Sequence, residues 1–416
     1  MHSSGTGSRT TGLWKISGAK LRFGSTKLAA LIIRGALTLA VFAVLMLIAA
    51  QPAQGQETVL YNFTGGIDGA YPLSNLTFDG AGNLYGTASG GGAWGAGTVF
   101  ELSPNGNGGW DETVLYSFTG GADGSSPEGP VIFDSVGNLY GTTHSGGANG
   151  YGVVFELSPE GSSWTETVLY TFTGGYSVDP GLIFDPVGNL YGAAVGGVFE
   201  LSPSGGGWTE QQIYPTPSVV GLTMDAAGNI FGASVYNVFE LSPNGSGGWN
   251  LTVLHTFAGA PKDGSGPVGA PALDQAGNLY GATTWGGPKN SGTVYMLSPI
   301  TTGKKKGQWK ERRLYSYSDN SRGGCPMAGL LLDFPSIWLT TMIGGYHQAG
   351  TIFVLQGEGF KEKADVWRFN WFDGAHPQGS LILDSENNLY GTVTYGGSGY
   401  VNGGSLGYGV VFEFTP

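Results

Sequence analysis

The side chains of this sequence best placed to do chemistry are aspartates in one recurring loop. The loop reads Gly-Gly-x-Asp-Gly-x-x-Pro or a close variant and carries Asp68, Asp123, Asp263 and Asp373, with Asp179 shifted within Ser177-Val178-Asp179-Pro180. Arg322 takes the aspartate's place in Arg322-Gly323-Gly324-Cys325-Pro326, and Tyr214-Pro215-Thr216-Pro217 has lost the feature. A ring of such carboxylates could hold a cation or a polar ligand. An Asp-Gly turn can equally use its carboxylate to accept backbone N–H bonds within its own loop. Each loop offers one acid, whereas calcium loops need several oxygens at close spacing, which favours the turn. Arg322 either bridges a neighbouring acid or contacts a ligand.

Catalytic patterns are sparse. His144, His255, His347 and His376 fall in separate repeats, and no His-x-His or His-Glu-x-x-His spacing joins them. A metal centre is therefore not expected. Cys325 is the sole cysteine and lies between glycine and proline. The Gly-Gly stretches precede no helix, so they are not phosphate loops. No cofactor is implied. Enzymatic action would rest on acids assembled at the mouth of a ring, as in a hydrolase or lyase.

These loops belong to a repeat. Asp79, Asp134, Asp185, Asp225, Asp274, Asp333 and Asp384 mark successive copies of Asp-x-x-Gly-Asn-Leu-Tyr-Gly or its relics, at intervals of 40 to 59 residues. Each copy continues through a Gly-rich stretch, Val-Phe-Glu-Leu-Ser-Pro, a tryptophan and Thr-Val-Leu-Tyr-x-Phe. In the second copy the apolar runs are 130–134, 139–143, 153–158 and 166–172. Four short strands per copy, with no helical period after residue 55, predict an all-β, seven-bladed β-propeller of four-stranded antiparallel blades. Asp-x-x-Gly-Asn supplies the turn between the first two strands. Trp110, Trp164, Trp208, Trp249 and Trp309, just before the fourth strand, read as packing caps in preference to sugar platforms. The sixth copy is the weakest, with Asp333-Phe334-Pro335-Ser336 in place of the turn.

Residues 57–63 read as a fourth strand lacking its first three, and 409–414 as a third strand lacking its fourth. Joined, they complete the last blade and leave no open sheet edge. Between the second and third strands, the spacing is shortest in repeats three and four and longest in repeat seven. The loop face should therefore be a wall with one notch. Tyr395 and Tyr400, with Tyr408, stand in the tallest loop as aromatic contacts for an extended ligand.

The phrases at 83–87, 97–102 and 115–121 resemble the GloVer tandem repeat of exported bacterial proteins, and related phrases cover nearly all of 57–416. The resemblance implies a secreted or surface repeat protein and brings no established activity.

Residues 1–34 hold six basic and no acidic side chains, followed by an uncharged run from 35 to 50 and the small-x-small pair Ala53 and Gly55. Residues 1–55 thus read as a signal peptide or an N-terminal anchor, with 56–416 as one propeller domain. Membrane contact is expected only if that segment is retained. No Lys or Arg occurs between 56 and 261, where 18 acidic residues lie. Nucleic acid is therefore excluded as a partner for that side. The expectation is an exported monomer that binds an extracellular glycan, peptide or protein. A propeller hydrolase or lyase and a structural envelope protein are the rivals.

Overall fold

A computed structural model describes residues 55–174, 181–194, 196–216, 218–318, 323–402 and 404–416. Seven four-stranded antiparallel sheets follow one another along the chain, and the described residues contain no helix. Blade one consists of Thr77–Phe78, Leu84–Ala88, Thr98–Pro104 and Trp110–Ser117. Blades two to six repeat this order. Blade seven takes its outer strand from the N-terminal side: Gln56–Asn62 pairs with Val410–Thr415, from Gln56↔Thr415 to Asn62↔Val410. The expected closure is therefore present.

Burial follows the strand order. The second strands are almost wholly buried, as in Leu84–Ala88 and Leu389–Val393, whereas fourth strands such as Trp110–Ser117 begin with alternating exposed and half-buried positions. One feature of the fourth strand is not an alternation. At the Val-Leu step, as in Val114 and Leu115, the ladder skips a residue and a β-bulge absorbs it. It recurs opposite Val99/Phe100, Val154/Phe155, Val198/Phe199, Val238/Phe239, Val294/Tyr295 and Ile352/Phe353, and again between Val59 and Tyr61. Bulges increase local twist, which the curved blades need.

Aromatic rings join blade to blade. Phe63 meets Phe100 edge-on at 5.2 Å, Phe118 meets Phe155 at 5.2 Å, Phe172 meets Phe199 at 5.4 Å and Phe369 meets Phe412 at 5.2 Å. Where the loop phenylalanine is lost, Tyr214 reaches Phe239 at 4.9 Å. The third-strand ring also covers the glycine of Leu-Tyr-Gly. A Cβ on Gly86 would lie 2.6 Å from the Phe100 ring, and one on Gly141 would lie 2.5 Å from Phe155. The expected tryptophan caps serve the opposite side of each blade. Trp110 packs on Tyr390 at 6.2 Å, Trp208 on Tyr140 at 6.4 Å and Trp249 on Tyr191 at 5.8 Å.

Two details differ from the sequence reading. The first strands shrink to two residues in four of the seven blades, as in Thr77–Phe78, Ile132–Phe133 and Ile183–Phe184. In blade five the loop segment is instead absorbed into one long strand, Gly264–Leu273. Blade six keeps its hairpin without Gly-Asn, pairing Asp333 with Ser336 across Phe334 and Pro335.

Candidate functional site

The loop acids are bound to their own loops. Asp68 accepts bonds from the Thr64 N–H at 2.7 Å, the Thr64 hydroxyl at 2.6 Å and the Tyr61 hydroxyl at 3.1 Å. Asp123 repeats this with Thr119 and Tyr116, at 2.7, 2.6 and 3.1 Å. Asp263 accepts from the Ala258 and Gly264 N–H groups and faces His255 Nε2 at 3.2 Å. Asp373 accepts from the N–H and side-chain amide of Asn370 at 2.8 and 2.7 Å. None of these four lines the central cavity. Asp179 and Arg322 lie outside the described residues.

The hairpin aspartates are structural in the same way. Asp79 Oδ1 accepts from the Ala81 and Asn83 N–H groups, and Oδ2 from the Asn83 amide and the Tyr85 hydroxyl. Desolvation pushes such a carboxyl upward, but these bonds outweigh it and hold Asp79, Asp134 and Asp384 below the usual range.

The geometry that stands apart is at blade seven. Trp371 N–H bonds Gly374 O, as Gly65 bonds Gly69 O, Gly120 bonds Gly124 O and Gly259 bonds Gly264 O. Its φ is 72°, beside 74°, 79° and 79° at those glycines. A tryptophan therefore occupies a left-handed backbone position that three other blades give to glycine, at a cost of about 1–2 kcal/mol. Its indole stacks on Tyr400 at 5.4 Å with 24° between planes and meets the His376 ring at 5.2 Å. Phe372 is 69% exposed and stands edge-on to Tyr400 at 5.3 Å. Tyr395 touches His376 at 5.7 Å and Tyr71 at 5.6 Å. His376 and Tyr71 are also left-handed, at φ 56° and 58°, each just before a proline.

The long loop is tied down. Gly396 N–H bonds Leu406 O at 2.7 Å, Gly397 N–H bonds Trp371 O at 2.9 Å, and Ser398 N–H bonds the Asn62 side chain at 2.7 Å. Of the tyrosines singled out in the sequence reading, Tyr395 joins this group through His376 and Tyr400 through Trp371. Trp371 and Phe372 were missed there, and His376 was noted only as one of four separate histidines. The signal available was the break in the repeat itself, Asn-Trp-Phe-Asp where the first three such loops have Thr-Gly-Gly.

At the centre of the ring lies a cavity of about 500 Å³ lined from six blades, with Leu73, Val219, Val268 and Met327 beside Gln378 and Glu128. Among the described residues its lining has no Lys or Arg, and Glu128 is the charged residue there. Glu128 lies 3.8 Å from His144 Nδ1, a pair that sequence spacing did not bring out. Cys325 is buried and its thiol is pushed up by desolvation, which removes it as a surface nucleophile. Among the described residues, no three His, Cys, Asp or Glu side chains converge as metal ligands.

The repeat family described as Gloeobacter/Verrucomicrobia repeat matches residues 46–232 and 218–416, which agrees with the resemblance to GloVer. Among curated proteins none matches the sequence. Solved structures that share the fold include virginiamycin B lyase from Staphylococcus aureus, with 15% identity and a TM-score of 0.54, covering 87% of this chain and 99% of that one. A catalytically inactive form of that lyase with quinupristin gives a TM-score of 0.56 at 15% identity, again covering 87% of this chain and 99% of that one. The extracellular domain of a putative one-component system from B. thetaiotaomicron has 14% identity and a TM-score of 0.54, covering 88% of this chain and 42% of that one.

Proposed function

This chain belongs to the Gloeobacter/Verrucomicrobia repeat family, and on that premise we propose that its propeller is an exported binding module that takes a neutral glycan at the loop face of blade seven. The observation that carries the reading is Trp371, held at φ 72° where the fold's own repeat uses glycine. Non-glycine residues forced into such conformations cluster at ligand sites. Around it, Phe372, Tyr400, Tyr395 and His376 offer ring surface. Rigid aromatic side chains give contact area at low entropic cost.

The test is a glycan array with the purified protein and its Trp371→Gly variant. Glycine restores the residue that three other blades use, so the variant keeps its fold. Binding by the parent and its loss in the variant support the reading. Absence of any glycan ligand, or equal binding by both, overturns it. Export rests on the basic and apolar pattern of residues 1–55, and mass spectrometry of the secreted protein should find its N-terminus near Gln56. Recovery of Lys15 in that protein would make the segment an anchor.

A second reading, a propeller lyase or hydrolase, is favoured by the Glu128–His144 pair at the cavity, 3.8 Å apart. A histidine beside a carboxylate can serve as a general base. Cleavage of bound glycan that disappears in His144→Ala would replace the binding module with an enzyme.

A further inference from the structure

A second set of acids faces the loop aspartates across the blade junctions. On each fourth strand, one position pairs with the same residue of the third strand: Glu57↔Phe414, Glu112↔Leu102, Glu166↔Leu157 and Glu311↔Leu297. Glu112 interacts with Asp68, Glu166 with Asp123, Glu311 with Asp263 and Glu57 with Asp373. Each aspartate is already committed to its own loop. The glutamates are not: Oε1 of Glu57, Glu112 and Glu166 is buried and has no hydrogen-bond partner among the described residues.

Blade three keeps the glutamate, Glu210 paired with Leu201, although by sequence its loop aspartate is shifted to Asp179, and there the Tyr170 hydroxyl bonds Glu210 at 3.5 Å. In two other blades both acids are lost together. In blade four the equivalent position is Leu251, paired with Leu241, and the preceding loop is the one that lost its aspartate. In blade six it is Lys363, paired with Leu355, and by sequence Arg322 replaces the aspartate. Lys363 instead lies over the Tyr315 ring at 5.1 Å. Two buried carboxylates cannot both ionise cheaply at close range, so such a pair needs a proton or a cation between its members.

We propose that Glu57, Glu112 and Glu166 are still protonated in the folded ring at mildly acid pH, where a free carboxylate would be ionised, so that acid closes three blade junctions and alkali loosens them. The groups facing them are few. Glu112 meets Asp68 and the Tyr61 phenol, Glu166 meets Asp123 and the Tyr116 phenol, and Glu57 meets Asp373, beyond which stands His347. No Lys or Arg occurs in 56–261 to neutralise the first two. Blade five differs, since His255 and Arg313 offset the field of Asp263 on Glu311. Desolvation first and the loop aspartate second push Glu112 and Glu166 up to about 7 and Glu57 up to about 8. A carboxyl raised on folding stabilises fully below its ordinary value. That contribution declines as the unfolded chain ionises alone and is exhausted once the folded groups ionise, near 7 to 8.

The experiment is thermal melting of the full chain from pH 5.5 to 8.5, beside the triple variant Glu57→Gln, Glu112→Gln, Glu166→Gln. The parent's Tm should fall with rising pH. The triple variant's should fall by less than half as much and exceed the parent's at pH 8.5. Equal slopes overturn the proposal. Should the triple variant fail to fold, Glu112→Leu gives the same comparison, because Leu251 fills that position in blade four. Calcium chloride that raises the parent's Tm at pH 8.5 and not the variant's would also overturn it, by assigning the pairs to a cation.

Discussion

Phe63 and Phe100 meet edge-on with centroids 5.2 Å apart across the junction of the last and first blades. Both rings are fully buried. The contact joins a residue near the first strand to the third strand of blade one, so it carries the closure of the ring. Phe63→Ala should lower stability by about 3–5 kcal/mol, the usual cost of emptying a buried aromatic site. Urea unfolding of the two proteins measures it, and a shift under 1 kcal/mol would mean that closure does not depend on this junction.

The glycine under that ring is equally constrained. Gly86→Ala would place a Cβ 2.6 Å from the Phe100 ring and 3.0 Å from Leu76. A loss of about 1–3 kcal/mol is expected from overpacking. Gly80→Ala, with nothing within 4 Å, is the control and should be close to neutral. Blade six shows the alternative solution. There Leu339 fills the glycine's place, and the Phe353 ring lies tilted 30° against Tyr315 at 4.9 Å.

Trp371→Gly should change stability by no more than about 1 kcal/mol. Relief of a left-handed tryptophan offsets the loss of its ring contacts, which are of similar size. Equilibrium unfolding checks this. A large destabilisation would mean that the aromatic cluster serves the fold before any ligand.

The hairpin aspartates have the opposite pH sign to the junction glutamates. Asp79, Asp134 and Asp384 sit below the usual carboxylate range. Their contribution is present above the unfolded value near 4 and is lost as pH falls through the lowered folded value. Replacing Asp134 by Ala should lower stability at pH 6 by about 1–3 kcal/mol, since it strands N–H groups that bonded a charged acceptor. The difference should shrink toward pH 2, as followed by acid unfolding.

The blades, their number and the closing strand were legible because each rests on local pattern. Val-Phe-Glu-Leu and Thr-Val-Leu-Tyr announce strands wherever they stand, and Asp-x-x-Gly-Asn announces the hairpin between them. The bulge was not legible, because Val114, Leu115 and Tyr116 read as strand in either register until Val99 and Phe100 fix it. The candidate site was half legible. Tyr395 and Tyr400 were visible as aromatics in the longest loop, but Trp371 gains meaning only when its backbone is compared with Gly65 and Gly120. The Glu112–Asp68 and Glu128–His144 pairs were invisible for a different reason. Each joins separate strands or loops, so sequence spacing says nothing of their approach.

The closing ladder has a mechanical side. Gln56 and Thr415 face each other at one end of the pairing, and the strands run antiparallel from there. Tension applied at those two residues would open the ladder one rung at a time, as a zipper opens, with no several-rung shear to resist it. A ring sealed against edge-to-edge aggregation is thus, along this one line, easily unfastened by pulling. Anchoring it from one end only would leave that seam unloaded.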